Sequence, residues 1–117
     1  TDSTRMEEFD KQYYRIGDVA DFIGVSPTTI RYWEQEFPEL APRRGSRGIR
    51  YYTPADIETL RIIHFLLKER GLRMDAAKQQ MKTNRRNISK KLKVLDELAE
   101  LRSELEVMLK TLSKRKL

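Results

Sequence analysis

Apolar positions recur every three to four residues over most of this chain, and breaks rich in glycine and proline divide the pattern into successive helices. Ile16, Val19, Ala20 and Ile23 share one face of a short helix that stops at Gly24. The Gly24-Val25-Ser26-Pro27 run then supplies a tight turn, an N-cap and a residue suited to the first helical position. In the helix that follows, Ile30, Trp33 and Phe37 line one face, and Thr28, Arg31, Tyr32 and Gln35 line the other. Two helices joined by a short glycine turn make a helix-turn-helix pattern.

Residues 38–52 break the periodicity, with prolines, glycines and a serine bounding a loop and Ile49–Tyr52 predicted as a short strand. A two-stranded ribbon at this point would be a wing. Thr53-Pro54-Ala55-Asp56 restarts a helix with a cap, a proline and an early acid, and this helix is predicted to reach Arg70 and end at Gly71. Its apolar residues form two faces: Ile57, Leu60, Ile63 and Leu67 on one, Ile62, Phe65 and Leu66 on the other. Two such faces predict packing against something outside the helix's own domain. A short helix over Met74–Lys82 precedes the basic run Thr83-Asn84-Arg85-Arg86-Asn87. The last segment, Ile88–Ser113, carries Val94, Leu98, Leu101, Leu105, Met108 and Leu112 at alternating intervals of four and three, an a/d seam. A seam on a helix with no further domain in the chain to cover it predicts pairing with a second copy, the alternative being a long helix folded back on its own domain.

Charge changes this picture by its placement. Charged residues make up 36% of the chain and the formal net charge is +6, a balance that suits a polyanionic partner. Arg43, Arg44, Arg47 and Arg50 fall in residues 43–50 with no acid among them, and residues 68–93 hold ten basic residues against Glu69 and Asp75. The seam region 94–109 is net acidic, which argues against a basic helix lying along DNA or a membrane. Arginine on a wing suits phosphate and minor-groove contact. The sequence has no cysteine and one histidine, His64, so thiol-based metal sites, redox switches and disulfides are excluded. No cofactor is expected. The first twelve residues lack the apolar run of a signal peptide, and no stretch approaches the roughly 20 apolar residues of a membrane span; a soluble, cytoplasmic, nucleoid-associated protein is expected.

The run Tyr14-Arg15-Ile16-Gly17-Asp18-Val19-Ala20, then Gly24-Val25-Ser26, then Thr29-Ile30-Arg31-Tyr32-Trp33-Glu34 resembles the MerR family of winged helix-turn-helix regulators. Gly48-Ile49-Arg50-Tyr51-Tyr52-Thr53 resembles the end of that family's wing, and Asp56-Ile57 through Leu60 and Ile63, followed by Gly71-Leu72, resembles its later helices. The resemblance implies a mainly α fold, a winged helix-turn-helix DNA-binding domain followed by a long antiparallel coiled-coil dimerisation helix. It also implies a homodimer on a pseudo-palindromic promoter in double-stranded DNA, with RNA polymerase engaged indirectly through distortion of the site. Carried onto this sequence, Thr28, Thr29, Arg31 and Tyr32 would contact bases or phosphates. Arg50 would contact phosphate from the wing, with Arg43, Arg44 and Arg47 as further candidates, and Arg15 would do so from the start of the first helix. Val94, Leu98, Leu101, Leu105, Met108 and Leu112 would dimerise. Tyr52 is open between packing and contact. The family's effector regions, cysteine-based or in a separate drug-binding domain, have no counterpart, and Arg73 stands where a capping hydroxyl usually precedes Met74.

The chain thus divides into a flexible arm (1–12), a winged helix-turn-helix domain (13–82), a basic junction (83–87), a coiled-coil helix (88–113) and a basic tail (114–117). No glycine-rich phosphate loop, nucleophile elbow or metal cluster points to an enzyme. Trp33 and His64 read as packing residues. The alternatives are an excisionase-like or architectural DNA-binding protein on the same winged fold, and a coiled-coil protein whose basic surface meets an acidic partner.

Overall fold

The computed structural model describes residues 13–115; the arm read over residues 1–12 and the end of the tail at 116–117 lie outside them. The described chain runs β1 (Tyr14–Arg15), α1 (Ile16–Ile23), α2 (Pro27–Glu36), β2 (Arg43–Arg44), β3 (Arg50–Tyr52), α3 (Pro54–His64), α4 (Met74–Thr83) and α5 (Arg85–Arg115). It forms two units, one ending at Thr83 and one beginning at Asn84.

In the first unit, the turn between α1 and α2 takes the form its residues dictate. Gly24 closes α1 in the left-handed region at φ +90°, its N–H donating to the Ala20 carbonyl at 2.8 Å. Ser26 caps α2 by accepting from the Thr29 N–H at 3.2 Å, and Pro27 occupies the first turn. Ile30, Trp33 and Phe37 are buried along one side of α2, together with Val19 and Ala20 from α1. The apolar stripe therefore fixes the rotation of α2 about its own axis, and its other side faces outward.

The wing is a three-stranded antiparallel sheet of order β1-β3-β2, with Tyr14 opposite Tyr52, Arg15 opposite Tyr51, Arg43 opposite Tyr51 and Arg44 opposite Arg50. A two-stranded ribbon was expected. The third strand is Tyr14–Arg15, too short to show an alternating pattern and set directly before a helical one. Arg15 accordingly belongs to the sheet and stands at the N-cap of α1, not inside that helix.

Thr53 and Asp56 form a reciprocal capping box at the start of α3. Beyond His64 the helix widens into a π turn over Phe65–Glu69, with the Arg70 N–H donating to the Phe65 carbonyl at 2.9 Å. The helical run therefore reaches Arg70 and ends at Gly71, at φ +65°, as the sequence predicts, with a π turn as its last part. The expectation that Ile62, Phe65 and Leu66 pack against an external partner is overturned, because all three are buried within the single chain. The π turn shifts the helical phase after His64, and α4 packs against both α3 and the turn. Helix α4 starts at Met74 without a hydroxyl cap; the Asp75 carboxylate instead accepts from the Ala76 N–H at 2.9 Å.

In the second unit α5 runs unbroken over 31 residues. Arg85, Arg86 and Asn87, read as part of a junction, form its first turn, and Asn84 alone separates it from α4. No described helix is long and apolar enough to cross a membrane.

Candidate nucleic-acid interface

Helix α2 supplies one surface. Thr28 and Arg31 are exposed, and Tyr32 is 50% exposed on a helix whose other aromatic side chain, Trp33, is buried. Thr29 is half-buried, its hydroxyl 2.9 Å from the Ser26 hydroxyl, so it serves the cap as well as the surface. Trp33 packs with its ring tilted against that of His64, centroids 6.4 Å apart, which is the packing role expected for both.

The sheet sorts the arginines by strand alternation and register. Arg15, Tyr51 and Arg43 lie in one cross-strand row. Both arginines of the row are exposed, and the Arg43 guanidinium sits 5.8 Å from the centroid of the Tyr13 ring. Gly45 lets the Tyr51 ring lie against the backbone, since a Cβ there would come within 2.7 Å of Tyr51 Cε2. Arg47 is exposed at the tip, where it holds φ +62° in a 3-10 turn of residues Ser46–Gly48. That left-handed conformation is uncommon for a side-chain-bearing residue.

Arg44 and Arg50 lie on the sheet's other face, beside Tyr52 and Tyr14, and reach α2. Arg50 Nε donates to Glu34 Oε2 at 2.8 Å, and both side chains are largely buried. Arg44 Nη2 lies 3.5 Å from Glu34 Oε1 but is mostly exposed, and the Tyr52 hydroxyl donates to Glu34 Oε2 at 3.4 Å. Tyr52 is fully buried. Its phenol is pushed up to about 12 by that burial and by the Glu34 carboxylate beside it, with Arg50 opposing. Tyr52 thus packs, and in packing it joins an ionic cluster between wing and helix.

Glu34 was not among the residues singled out in the sequence. It closes the Arg-Tyr-Trp-Glu run, but no local pattern ties it to an arginine sixteen residues on. A second link, Lys78 Nζ to Glu36 Oε1 at 3.1 Å, ties α4 to the end of α2.

The seam lies on α5. Val94, Leu98, Leu101, Leu105, Met108 and Leu112 are each between 53% and 59% exposed, and Leu95 and Leu109 extend the same apolar strip. Among the described residues nothing covers them.

The profile of the family described as "MerR HTH family regulatory protein" matches residues 14–84, more than half of the chain. The chain is 38% identical over 65 residues to the HTH-type transcriptional repressor CarH of Myxococcus xanthus, an alignment spanning 56% of this chain and 22% of that protein. It is 43% identical over 51 residues to the HTH-type transcriptional regulator TnrA of Bacillus subtilis, spanning 44% of this chain and 46% of that protein. The matched segment thus spans less than half of either relative. Among solved structures the fold is similar to that of HiNmlR, a MerR family regulator lacking the sensor domain and bound to promoter DNA. The TM-score is 0.51 at 22% sequence identity, covering 86% of this chain and 88% of that one. At that identity the likeness is one of fold.

Proposed function

Because the chain belongs to the MerR family of helix-turn-helix regulatory proteins, we propose that it is a sequence-specific transcriptional regulator that binds double-stranded promoter DNA as a homodimer and distorts it. The family consists of regulators and not enzymes. The observation that carries the reading is the outward face of α2. Thr28, Arg31 and Tyr32 project from a helix whose opposite face, Ile30 and Trp33, is buried and so cannot rotate away. An α-helix presented in this way fits the major groove.

In this reading Thr28, Thr29, Arg31 and Tyr32 meet bases or phosphates, and Arg15, Arg43 and Arg47 grip the flanking backbone. Arg44 and Arg50 serve the wing through Glu34 as well as any phosphate they reach. The α5 seam pairs with a second copy, and RNA polymerase senses the bound dimer through the shape of the DNA. The working place of such a protein is the nucleoid. CarH is a repressor by name, and TnrA is named only as a regulator.

The test is binding to a duplex selected by the protein from a random pool. Arg31→Ala should cost about 1–3 kcal/mol and alter base preference if Arg31 reads a base. Arg43→Ala and Arg47→Ala should weaken all duplexes alike and flatten the logarithmic salt dependence by about one each. An Arg31→Ala protein with unchanged affinity and preference would remove α2 from the interface. Failure to stimulate or repress transcription from a promoter bearing the selected site, with binding intact, would favour the architectural reading.

A further inference from the structure

The wing and the reading helix are joined by one carboxylate. We propose that Glu34 is a specificity-determining positioning residue, which holds Arg50 and Arg44 so that the wing keeps a fixed place relative to the exposed face of α2. The inference rests on the reading of α2 and the wing as a duplex-binding surface.

Three observations carry it. Strand β3 presents Arg50 and Tyr52 two residues apart on one face, and both donate to Glu34 Oε2, at 2.8 and 3.4 Å. Glu34 and Arg50 side chains are only 14% and 24% exposed, so their attraction acts with little solvent screening. Glu34 also lies one helical turn from Arg31, so whatever holds Glu34 sets the distance between wing and Arg31.

Arg44 behaves differently. Its side chain is 57% exposed and its contact with Glu34 is long, at 3.5 Å. A phosphate arriving at the correct place can take Arg44 from Glu34, while Arg50 stays with the carboxylate. At a misplaced duplex the carboxylate remains a competing anion. Glu34 therefore suppresses indiscriminate phosphate binding and rewards a duplex that meets wing and helix together, a use of repulsion to gain specificity.

The variant Glu34→Gln keeps the shape and removes the charge. Its binding is measured against two probes, a duplex selected by the wild-type protein and a random-sequence duplex, over a range of salt concentrations. The expected result is tighter binding to random duplex, a logarithmic salt slope steeper by about one, and a selected-to-random affinity ratio reduced by about fivefold or more. A carboxylate that only stabilised the fold would scale both affinities by one factor and leave slope and ratio alone. That outcome in a folded variant overturns the proposal.

If Glu34→Gln does not fold, Arg50→Gln breaks the same pair from the wing side. It should lower the ratio too, and an unchanged ratio overturns the proposal. Where both fold, the doubly substituted protein should lose no more discrimination than the worse single variant, and losses that multiply count against it. A wild-type protein that bound neither duplex would overturn the duplex reading itself, and this inference with it.

Discussion

Tyr52 shows how a single burial shapes both packing and response to pH. Its phenol, raised from 10.0 to about 12 chiefly by burial and next by the Glu34 carboxylate, holds its proton more tightly folded than unfolded. The resulting stabilisation is complete below pH 10 and is lost as the pH rises through 10 toward 12. The unfolding free energy of the wild-type protein should therefore decline relative to Tyr52→Phe across that window. A difference between the two that stays constant from pH 9 to 12 would show that Tyr52 does not titrate with folding. Arg47 offers a second test at this scale. Its φ of +62° strains a residue with a Cβ, and Arg47→Gly should raise stability by on the order of 0.5–1 kcal/mol, the strain relief less the added freedom of the unfolded chain. A lower denaturant midpoint in the variant would show that the tip bears no such strain. At this scale the sequence revealed chemistry but not pairing. The exposed face of α2 followed from the apolar spacing of Ile30, Trp33 and Phe37, whereas the cluster at Glu34 depends on strand register, which no local pattern encodes.

Elements with several turns were readable because their periodicity repeats. Helices α1 and α2 and the start of α3 followed from caps and apolar spacing, and the capping box at Thr53 and Asp56 appears as its residues suggest. Thr53→Ala should lower stability by about 1 kcal/mol, measured by denaturant unfolding; a midpoint unchanged from wild type would mean that the cap is redundant with the proline at the first turn. Two features escaped the pattern for physical reasons. Strand β1 has two residues, too few to show a period of two, and its partner strand lies far along the chain. The π turn after His64 changes phase in the middle of a helical run, and the helix is covered on two faces, since Ile62 before the turn and Phe65 and Leu66 within it are buried, as Leu60 and Ile63 are. A helical wheel assumes constant phase, and at this turn the assumption fails.

At the scale of the whole molecule, the apolar strip on α5 is the part that the single chain leaves open, and its spacing restricts how a second copy can cover it. In an antiparallel pair, positions a of one helix layer against positions d of the other. Val94, Leu101 and Met108 occupy one of these positions and Leu98, Leu105 and Leu112 the other. In the proposed dimer a two-fold axis near Ser103 would set Val94 opposite the partner's Leu112, Leu98 opposite the partner's Met108 and Leu101 opposite the partner's Leu105, leaving none of the six unmatched. The same axis would bring Leu95 beside the partner's Leu109 on the flank. Arg102 would then approach its own copy, and its ion pair with Glu106, at 3.2 Å in the single chain, would reduce that repulsion. Shifting the register by one heptad toward the start of α5 leaves Met108 facing Lys91 and Leu112 facing Asn87, and the opposite shift leaves Leu98 facing Arg115. The chain contains no cysteine, which makes the register directly measurable. Leu98→Cys and Met108→Cys introduced together should yield a covalent dimer under mild oxidation, while Leu98→Cys alone should not, because the two copies of residue 98 lie on opposite sides of the axis. Cross-linking by Leu98→Cys alone would indicate a parallel pair, and cross-linking by Leu98→Cys with Leu101→Cys, with none at 98 and 108, would indicate the shifted register. A Leu101→Asp protein should sediment as a monomer and lose binding to a two-half-site duplex. If it sedimented as a dimer, the seam would not be the interface, and the spacing of the two reading helices would have to be set elsewhere.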